Sequence, residues 1–476
     1  MNNFRCSAVL GLIFALAIPG ALSAQVAEKP NIVYFLVDNL GFGELGSYGG
    51  GILRGAETPE LDALAEEGLR LLNFAPETQC TPSRSALMTG RYSIRSGNHS
   101  VALAGSTSGL VDWERTLAEV LADEGYATAI VGKWHIGASE GRWPTDQGFE
   151  EWIGPAHSYD EAFWVEDPWY DPERDPVSYV YESKQGEQPT QWAQLTVPLK
   201  LELDVEYLKR SQSFIDRSLE EEKPFFLYFN HTMMHMPTRP RPEFKGRTGH
   251  GDWADSLAQL DADFASLKAM LEERGILDNT ILIFSGDNGS EEMEPDRGHS
   301  GFFEGSYFTG MEGSLRTPAM IRYPGKVPAG RISNEIVHIT DMFTTIALWA
   351  GAEVPQDREI DGLDQREFFE GKTDLSAREG FPYWMGEVMY GVKWRNFKVV
   401  SVLQRTFTDP ALRLATPHII NLEVDPGERK PYNFPYIHSW VAAHAGRIVA
   451  DFKQSTLREE LIPLGAPVDF IPGPSE

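Results

Sequence analysis

The chain has 476 residues, of which 42% are hydrophobic and 24% are charged. This composition is typical of a globular protein and excludes fibrous and low-complexity chains. Acidic residues outnumber basic ones by 70 to 42, which gives a formal net charge of −28. A chain this acidic repels nucleic acid, so binding of an anionic ligand requires a local cluster of positive charge.

The N-terminus has the pattern of a signal peptide over residues 1–24. Arg5 precedes an apolar run over residues 8–18, Pro19-Gly20 interrupts it, and small residues lead to a cleavage site after Ala24. The run is too short to span a bilayer, and no later run approaches about 20 apolar residues. We therefore expect an exported protein, periplasmic or secreted, with no integral membrane span after cleavage. An uncleaved N-terminal anchor is the alternative.

The chain has two cysteines, Cys6 and Cys80. Because Cys6 lies within the signal peptide, the mature protein retains Cys80 alone and has no internal disulfide. A lone cysteine in an exported protein is either a buried, inert residue or a chemically used or modified one. The count by itself favours neither.

Four apolar runs rich in β-branched and aromatic residues stand out, and each ends in polar residues. Such runs suit strands that are buried on both faces of a largely parallel sheet. Ligands of these sheets bind beyond the carboxyl ends of the strands, where the polar residues would converge. The runs are 31–37 before Asp38-Asn39, 127–131 before Lys133 and His135, 224–229 before His231 and His235, and 280–284 before Asp287-Asn288.

Helical patterns alternate with these runs, at residues 59–70, 117–124, 205–222 and 252–274. This alternation predicts an α/β fold with a doubly wound, largely parallel central sheet flanked by helices. Residues 154–194 are dense in Trp, Tyr, Asp, Glu and Pro without a clear period. They are either an ordered excursion that contacts substrate or a surface insertion without function.

The alternation fades after about residue 361. Residues 394–402 indicate a smaller antiparallel sheet, and residues 438–457 indicate a helix. We therefore divide the chain into a signal peptide at 1–24, a large α/β domain at 28–360 and a smaller C-terminal α+β subdomain at 361–476.

The segment around Cys80 has the features of a helix start. Thr81 is a suitable N-cap, Pro82 suits the first helical position, and Gly90 can end the helix. Cys80 would then lie just before a helix N-terminus, where free amides and the helix dipole favour an anion. With Arg84 turned toward the same end, a nucleophile here is suited to attack an anionic ester.

This segment, Cys-Thr-Pro-Ser-Arg followed by Thr-Gly-Arg, resembles the signature of the type I sulfatases, the formylglycine-dependent, arylsulfatase-like members of the alkaline phosphatase superfamily. Further similarities run in the family's order over about residues 30–330. The similar segments are Asp38-Asn39-Leu-Gly-Phe-Gly, Gly132-Lys-Trp-His, His235-Met-Pro, Asp287-Asn-Gly and Glu312-Gly-Ser-Leu-Arg-Thr-Pro, and Asn421-Leu-Glu-Val-Asp-Pro-Gly-Glu extends the resemblance into the C-terminal subdomain.

The resemblance implies that a separate maturation enzyme oxidises Cys80 to formylglycine, and that residues 28–360 form a catalytic domain that hydrolyses sulfate monoesters. One oxygen of the aldehyde hydrate would attack sulfur and give a covalent sulfo-enzyme. Arg84 would stabilise the hydrate, and Lys133 would bind sulfate. His235 would protonate the departing alcohol, and His135 would take the proton of the second hydroxyl.

The resemblance also implies a metal site at Asp38, Asn39, Asp287 and Asn288, with residue 80 as a further ligand. The four side chains form a hard, all-oxygen donor set. Such a set suits calcium better than magnesium, because magnesium usually keeps several waters.

Two positions depart from the family pattern. The first metal loop usually has consecutive aspartates, but its second position is Asn39. Members commonly have a sulfate-binding lysine where this chain has Tyr307, and His299 is a candidate to contribute instead. We further expect Trp164, Trp169 or Trp192 to stack on the ring of a sugar or aromatic alcohol.

Two other functions stay open. One is a formylglycine-dependent phosphonate or phosphate ester hydrolase of the same superfamily. The other is a non-catalytic protein that binds sulfated glycans. In each reading the ligand is a small ester or a glycan, and the sulfated alcohol itself (aryl, monosaccharide or polysaccharide) is not specified by these motifs.

Overall fold

The structure is a computed structural model that describes Met1 and residues 29–292, 297–429 and 437–474. The predicted signal peptide at residues 1–24 lies outside the described residues, apart from Met1. Within the described part of the chain, none of the helices is both long enough and apolar enough to cross a bilayer.

A large mixed sheet forms the centre of the molecule, and its strand order is β10-β2-β9-β8-β1-β7-β3-β4-β5-β6, with β11 also paired to β2. Strands β8, β1, β7, β3 and β4 are mutually parallel, whereas β9, β5 and β6 join by antiparallel pairing. The strands are β1 (Asn31–Val37), β2 (Leu69–Ala75), β3 (Ala127–Val131), β4 (Glu151–Pro155), β5 (Tyr179–Lys184), β6 (Thr190–Gln194), β7 (Phe225–His231), β8 (Thr280–Gly286), β9 (Thr317–Arg322), β10 (Arg331–Ser333) and β11 (Val337–His338).

Helices cover both faces of this sheet. Alternate residues of β1 enter two different hydrophobic clusters: Val33 and Phe35 pack with α1, α4 and α5, whereas Ile32 and Tyr34 pack with α2, α3 and α7. Burial on both faces explains why the central strands read as continuous apolar runs. The helices are α1 (Pro59–Glu67), α2 (Cys80–Thr89), α3 (Leu117–Asp123), α4 (Val197–Glu220), α5 (Asp252–Glu273), α6 (Glu312–Leu315), α7 (Ile339–Trp349), α8 (Arg366–Phe369) and α9 (Ser439–Arg458).

A second sheet follows toward the C-terminus. It is antiparallel, in the order β12-β13-β14-β15, and α9 packs on it. Its strands are β12 (Gly380–Met385), β13 (Val388–Trp394), β14 (Phe397–Leu403) and β15 (Leu412–Asn421). The predicted fold class, a largely parallel central sheet with a smaller antiparallel sheet and helix, is confirmed.

Three local predictions need correction. The helix predicted to continue to Arg70 ends at Glu67, because Gly68 interrupts it and β2 begins at Leu69. Residues 154–194 are not a simple excursion, since β5 and β6 extend the main sheet beyond β4. The N-cap of α2 is Gln79, so Cys80 is the first residue of the helix and does not precede it.

Candidate active site

Cys80 lies at the carboxyl edge of the main sheet, in the first turn of α2. Its side chain is 3% exposed, and its Sγ lies 3.4 Å from Oδ1 of Asp38, the residue that follows β1. Burial, and then the Asp38 carboxylate, raise the pKa of the Cys80 thiol well above its usual value. The unmodified thiol is therefore protonated and a weak nucleophile.

Arg84, one turn along α2, joins the ends of two central strands. Its Nη2 lies 3.1 Å from Oδ2 of Asp38 and 2.9 Å from Oδ2 of Asp287, which follows β8. Its Nη1 donates to the Lys133 carbonyl at 2.7 Å. All of these side chains are buried, so Arg84 forms a charged link across the centre of the site.

Lys133 adds a second positive charge to the cluster. Its Nζ lies 2.8 Å from Oδ2 of Asp38 and 3.4 Å from the Ser158 hydroxyl. Burial alone would raise the pKa of Asp38, but the neighbouring Lys133 holds that pKa well below its usual value. Gly132 permits this geometry, since its φ is +98° and a Cβ there would collide with the Asn230 carbonyl.

The four predicted metal ligands lie together at the ends of β1 and β8. The amide oxygen of Asn39 accepts a hydrogen bond from Nδ2 of Asn288 and lies 3.8 Å from Cys80 Sγ. The Asn288 Oδ1 atom is buried and has no partner among the described residues. Burial and the Asp38 carboxylate raise the pKa of Asp287 to about 6. A buried, unpartnered oxygen beside two close carboxylates fits a hard cation such as calcium.

His235 faces the same cluster from the loop after β7. Its Nδ1 lies 2.8 Å from the Met236 carbonyl, and its Nε2 lies 3.1 Å from the Ser158 hydroxyl and 3.8 Å from an Asp160 carboxylate oxygen. The carbonyl requires a proton on Nδ1, which leaves Nε2 directed at the site. Burial lowers the pKa of His235 to about 4, although Asp38 opposes this shift.

His135 lies on the loop after β3, with a positive φ of 67°. Its Nε2 lies 2.7 Å from the Ala102 carbonyl, and its Nδ1 is buried without a partner among the described residues. Burial and the nearby Lys133 lower its pKa well below the usual value. His135 is thus neutral, with a free acceptor nitrogen that can take a proton.

Three residues of the site were not predicted from the sequence. Ser158 lies between Lys133 and His235, Asp160 lies at the outer side of His235, and Glu291 accepts hydrogen bonds from Asn39 and Met236. Ser158 and Asp160 fall in a stretch with no periodic pattern. Glu291 stands four residues after Asp287, and this closeness to a predicted metal ligand is the feature of the sequence that could have identified it.

The other predicted substrate contacts are His299, Trp164 and Trp169. The hydrogen bonds of His299 run to Glu44 and to the Gly43 and Gly301 backbone, behind the first metal loop. Trp164 packs against Tyr170 in the segment after β4, and Trp169 is 91% exposed. The hydrogen bonds described for the cluster around Cys80 thus involve neither His299 nor the two tryptophans.

Tyr307 occupies the position where the resemblance predicts a lysine. It is buried with its ring stacked on Phe407 of the C-terminal part, at a centroid distance of 6.0 Å. Burial, and then Glu291 and Cys80, raise the pKa of the Tyr307 hydroxyl far above its usual value. A neutral phenol therefore replaces a cation at this side of the site.

His231 belongs to a buried cluster behind the site. Its Nε2 lies 3.0 Å from Asp263, which also receives two hydrogen bonds from Arg241, and its Nδ1 accepts from the Met233 amide. Asp204 is bound by Thr232 on the same loop. These contacts occupy both ring nitrogens of His231. Since Thr232 and Met233 belong to the loop that carries His235, the cluster supports that loop.

The C-terminal sheet braces the start of α2. Thr78 donates to the Trp384 carbonyl at 3.0 Å, at the end of β12. Nearby, Glu312 of the Glu-Gly-Ser turn lies 2.7 Å from Lys393, and its amide donates to Glu428 at 2.6 Å. Segments on both sides of residue 361 thus hold the site together.

This architecture defines a class of enzyme, the alkaline phosphatase-like hydrolases: a largely parallel sheet is flanked by helices, and buried charged side chains lie at the carboxyl ends of its strands. A family model described as Sulfatase matches residues 30–352. Since that match covers more than half of the chain, the chain belongs to the sulfatase family.

Relatives with assigned activities support this membership. Human arylsulfatase A is 32% identical over 499 residues, covering 98% of this chain and 94% of the relative. The N-acetylgalactosamine-6-sulfatase of Canis lupus familiaris is 32% identical and covers 89% and 85%. The crystal structure of the PsFucS1 sulfatase from Pseudoalteromonas sp. has a TM-score of 0.84 at 29% identity, covering 94% of this chain and 92% of that one. The predicted class, a sulfuric ester hydrolase, is confirmed.

Proposed function

We propose that the chain is an exported sulfatase that hydrolyses sulfate monoesters of aryl or carbohydrate alcohols by a formylglycine-dependent mechanism. The observation that carries this proposal is the position of Cys80, buried against Asp38 in a cluster with Arg84 and Lys133. The relatives named arylsulfatase A and N-acetylgalactosamine-6-sulfatase support an aryl or sugar alcohol.

The nucleophile is a formylglycine hydrate at position 80, made from Cys80 by a separate maturation enzyme. One hydrate oxygen attacks the sulfur of the ester, and the bond from sulfur to the alcohol oxygen breaks. Sulfate is then held covalently on residue 80. Arg84 stabilises the hydrate, and the Lys133 ammonium group binds the sulfate oxygens.

Asp38, Asn39, Asp287 and Asn288 would hold a divalent cation beside residue 80, calcium rather than magnesium. When bound, such a cation polarises a sulfate oxygen and offsets the negative charge of the ester. The unpartnered Asn288 oxygen and the all-oxygen donor set support this assignment.

His235 supplies the proton to the departing alcohol. Its Nε2 faces the site because Nδ1 is bound to the Met236 carbonyl. The pKa of His235 is low in the free protein, and the negative charge of a bound sulfate ester raises it toward the range of a general acid.

His135 then takes the proton from the second hydroxyl of the hydrate. The bond from residue 80 to the bridging oxygen breaks, inorganic sulfate leaves, and the aldehyde is regenerated for hydration by water. A serine or a thiol lacks the second hydroxyl, so it could not release sulfate by this elimination.

Two measurements on natively produced protein test the proposal. Peptide mass spectrometry should find an aldehyde at position 80, and aryl and sugar sulfates should be turned over with release of sulfate. An unaltered thiol at full activity rejects the mechanism. Faster release of phosphate or phosphonate from matched esters favours the related phosphoesterase, and binding of a sulfated glycan without turnover favours a non-catalytic role.

We also propose that residues 1–24 direct export to the periplasm or the outside of the cell, and that residues 28–360 and 361–476 form the catalytic domain and the smaller subdomain. Mass spectrometry of the exported protein tests the cleavage after Ala24. Retention of that segment on a membrane-associated protein would reject it.

A further inference from the structure

The backbone around Tyr307 is bound to two segments that border the candidate active site. The Tyr307 amide donates to the Ser290 carbonyl at 3.1 Å, just after the second predicted metal loop. The next amide, that of Phe308, donates at 3.0 Å to the carbonyl of Thr78, two residues before Cys80. These contacts hold Tyr307 between the metal loop and the start of α2.

The hydroxyl of Tyr307 faces the site and is free to bind a ligand. Tyr307 is 7% exposed, and its hydrogen bonds with the described residues use its amide and its carbonyl, not its hydroxyl. After burial, the groups that raise the pKa of this hydroxyl are Glu291, Cys80, Asp160 and Asp38. A buried hydroxyl that lies beside these groups without a protein partner fits a ligand that brings an acceptor oxygen.

Phe407 extends this surface outward from Tyr307. It lies between β14 and β15 of the C-terminal sheet, and its ring is 6.0 Å from the Tyr307 ring, with 16° between the two planes. The Phe308 ring supports it from a second direction at 5.0 Å. Phe407 is nevertheless 46% exposed. An exposed aromatic ring beside a buried polar group matches a ligand in which a ring carries an oxygen-rich substituent.

Tyr307 and Lys133 reach the site from different sides of the sheet. Tyr307 lies in the connection from β8 to β9, and Lys133 follows β3, with β1 and β7 between β8 and β3. The tryptophans Trp164 and Trp169 follow β4, on the far side of β3. Tyr307 and Phe407 therefore approach the site from the side away from Lys133 and these tryptophans.

We infer that Tyr307 and Phe407 form one wall of the substrate site: the Tyr307 hydroxyl donates to an oxygen of the bound ester, and the exposed face of Phe407 packs against the ring of its alcohol. This inference rests on the proposed function and deepens it. It makes the C-terminal sheet, which carries Phe407, a determinant of substrate choice as well as a brace for α2.

The ring contact is tested by steady-state kinetics of the matured full-length enzyme on 4-nitrophenyl sulfate and on a monosaccharide sulfate. Phe407→Ala should raise KM by about three- to tenfold on both substrates and leave kcat nearly unchanged, since ring packing binds substrate without entering the chemistry. Phe407→Trp restores an aromatic face and should recover most of the loss. The matched control is Phe302→Ala, at a side chain that is 68% exposed and packs on Phe303, and it should change neither constant.

The hydroxyl is tested by Tyr307→Phe, which keeps the ring contacts and removes the donor. This variant should lower kcat/KM by about tenfold on both substrates. Tyr323→Phe makes the same chemical change at a partly exposed ring against Trp349 and should leave kcat/KM unchanged. Wild-type efficiency in Tyr307→Phe overturns the role of the hydroxyl.

An unchanged KM in Phe407→Ala on both substrates overturns the ring contact. A fall in kcat that Phe407→Trp does not restore also overturns it, because that result indicates a purely structural role. If Tyr307→Phe does not fold, the Phe407 variants decide. If the wild-type protein releases no sulfate, the proposed function fails, and calorimetric binding of 4-nitrophenyl sulfate decides this inference: weaker binding to Phe407→Ala supports it, and equal affinity overturns it.

Discussion

The side of the site that we propose to face sulfate and the side that we propose to face the alcohol are built differently. On the sulfate side, Asp38, Arg84, Lys133 and Asp287 are all buried and bound to one another at the ends of central strands. On the alcohol side, residues 158–194 carry exposed acidic and aromatic groups, including Trp169. The difference supports the proposal that the buried scaffold carries out the sulfate chemistry and that the exposed segment selects the alcohol.

The largest effect is expected at the nucleophile. Cys80→Ser should lower steady-state turnover by at least about 10³-fold, because a serine can accept the sulfo group but cannot eliminate it. Intact-protein mass spectrometry after incubation with substrate should show sulfated protein accumulating. Steady turnover by this variant, at a rate near that of wild type, would contradict the proposed mechanism.

Arg84 should have the largest effect on stability. Arg84→Met leaves Asp38 and Asp287 buried without their shared partner and should cost about 3–5 kcal/mol in the free energy of unfolding. The matched change Arg115→Met removes a surface pair with Asp123 and should cost about 0–1 kcal/mol. Chemical denaturation of the calcium-free proteins measures both, and equal costs would contradict the expected difference between a buried and an exposed ion pair.

His235 should separate good from poor leaving groups. His235→Gln should lower kcat/KM for an alkyl or sugar sulfate by about 10²–10⁴-fold, because such an alcohol needs a proton to depart. The loss should be much smaller for 4-nitrophenyl sulfate, whose anion leaves unaided. The exposed His250→Gln serves as control. An equal loss on both substrates would reject the role of His235 as general acid.

Glu77, buried near the start of α2, gives a pH-dependent stability. Burial raises its pKa from 4.5 to about 7, so the folded protein favours the protonated form. This stabilisation is complete below pH 4.5 and is lost as the pH rises through 7, at most roughly 3 kcal/mol. Glu77→Gln should flatten the decline of unfolding free energy between pH 5 and 8, whereas the exposed Glu66→Gln should not. An unchanged slope in Glu77→Gln would contradict this.

The smallest effects are expected on the alcohol side. Trp169→Ala should raise KM for a sugar or aryl sulfate by between about two- and tenfold and leave kcat nearly unchanged, since stacking binds substrate without entering the chemistry. Leu375→Ala, an exposed apolar residue of the C-terminal part, is the control. If alanine at each of Trp164, Trp169 and Trp192 leaves the efficiency on every substrate unchanged, the stacking prediction is wrong.

The strand ends account for most of what the sequence could predict. Asp38, Lys133 and Asp287 follow apolar runs of a parallel sheet, whose carboxyl ends must meet at one edge. The partners of Glu291 and Ser158 were not accessible in this way, because side-chain contacts between distant loops leave no periodic trace. The start of α2 was misplaced by two residues, because Gln79 rather than Thr81 holds the capping position and does so without a side-chain cap.

The burial of Cys80 determines whether its proposed oxidation comes before or after folding. The Cys80 side chain lies in the first turn of α2 and is only 3% exposed, so another enzyme's active centre could not reach its sulfur in the folded protein. The proposed oxidation therefore has to take place on the newly made chain before it folds. A mature molecule that is unfolded and refolded in the test tube should regain its activity without help, whereas a chain that folds too early would be locked in an inactive form.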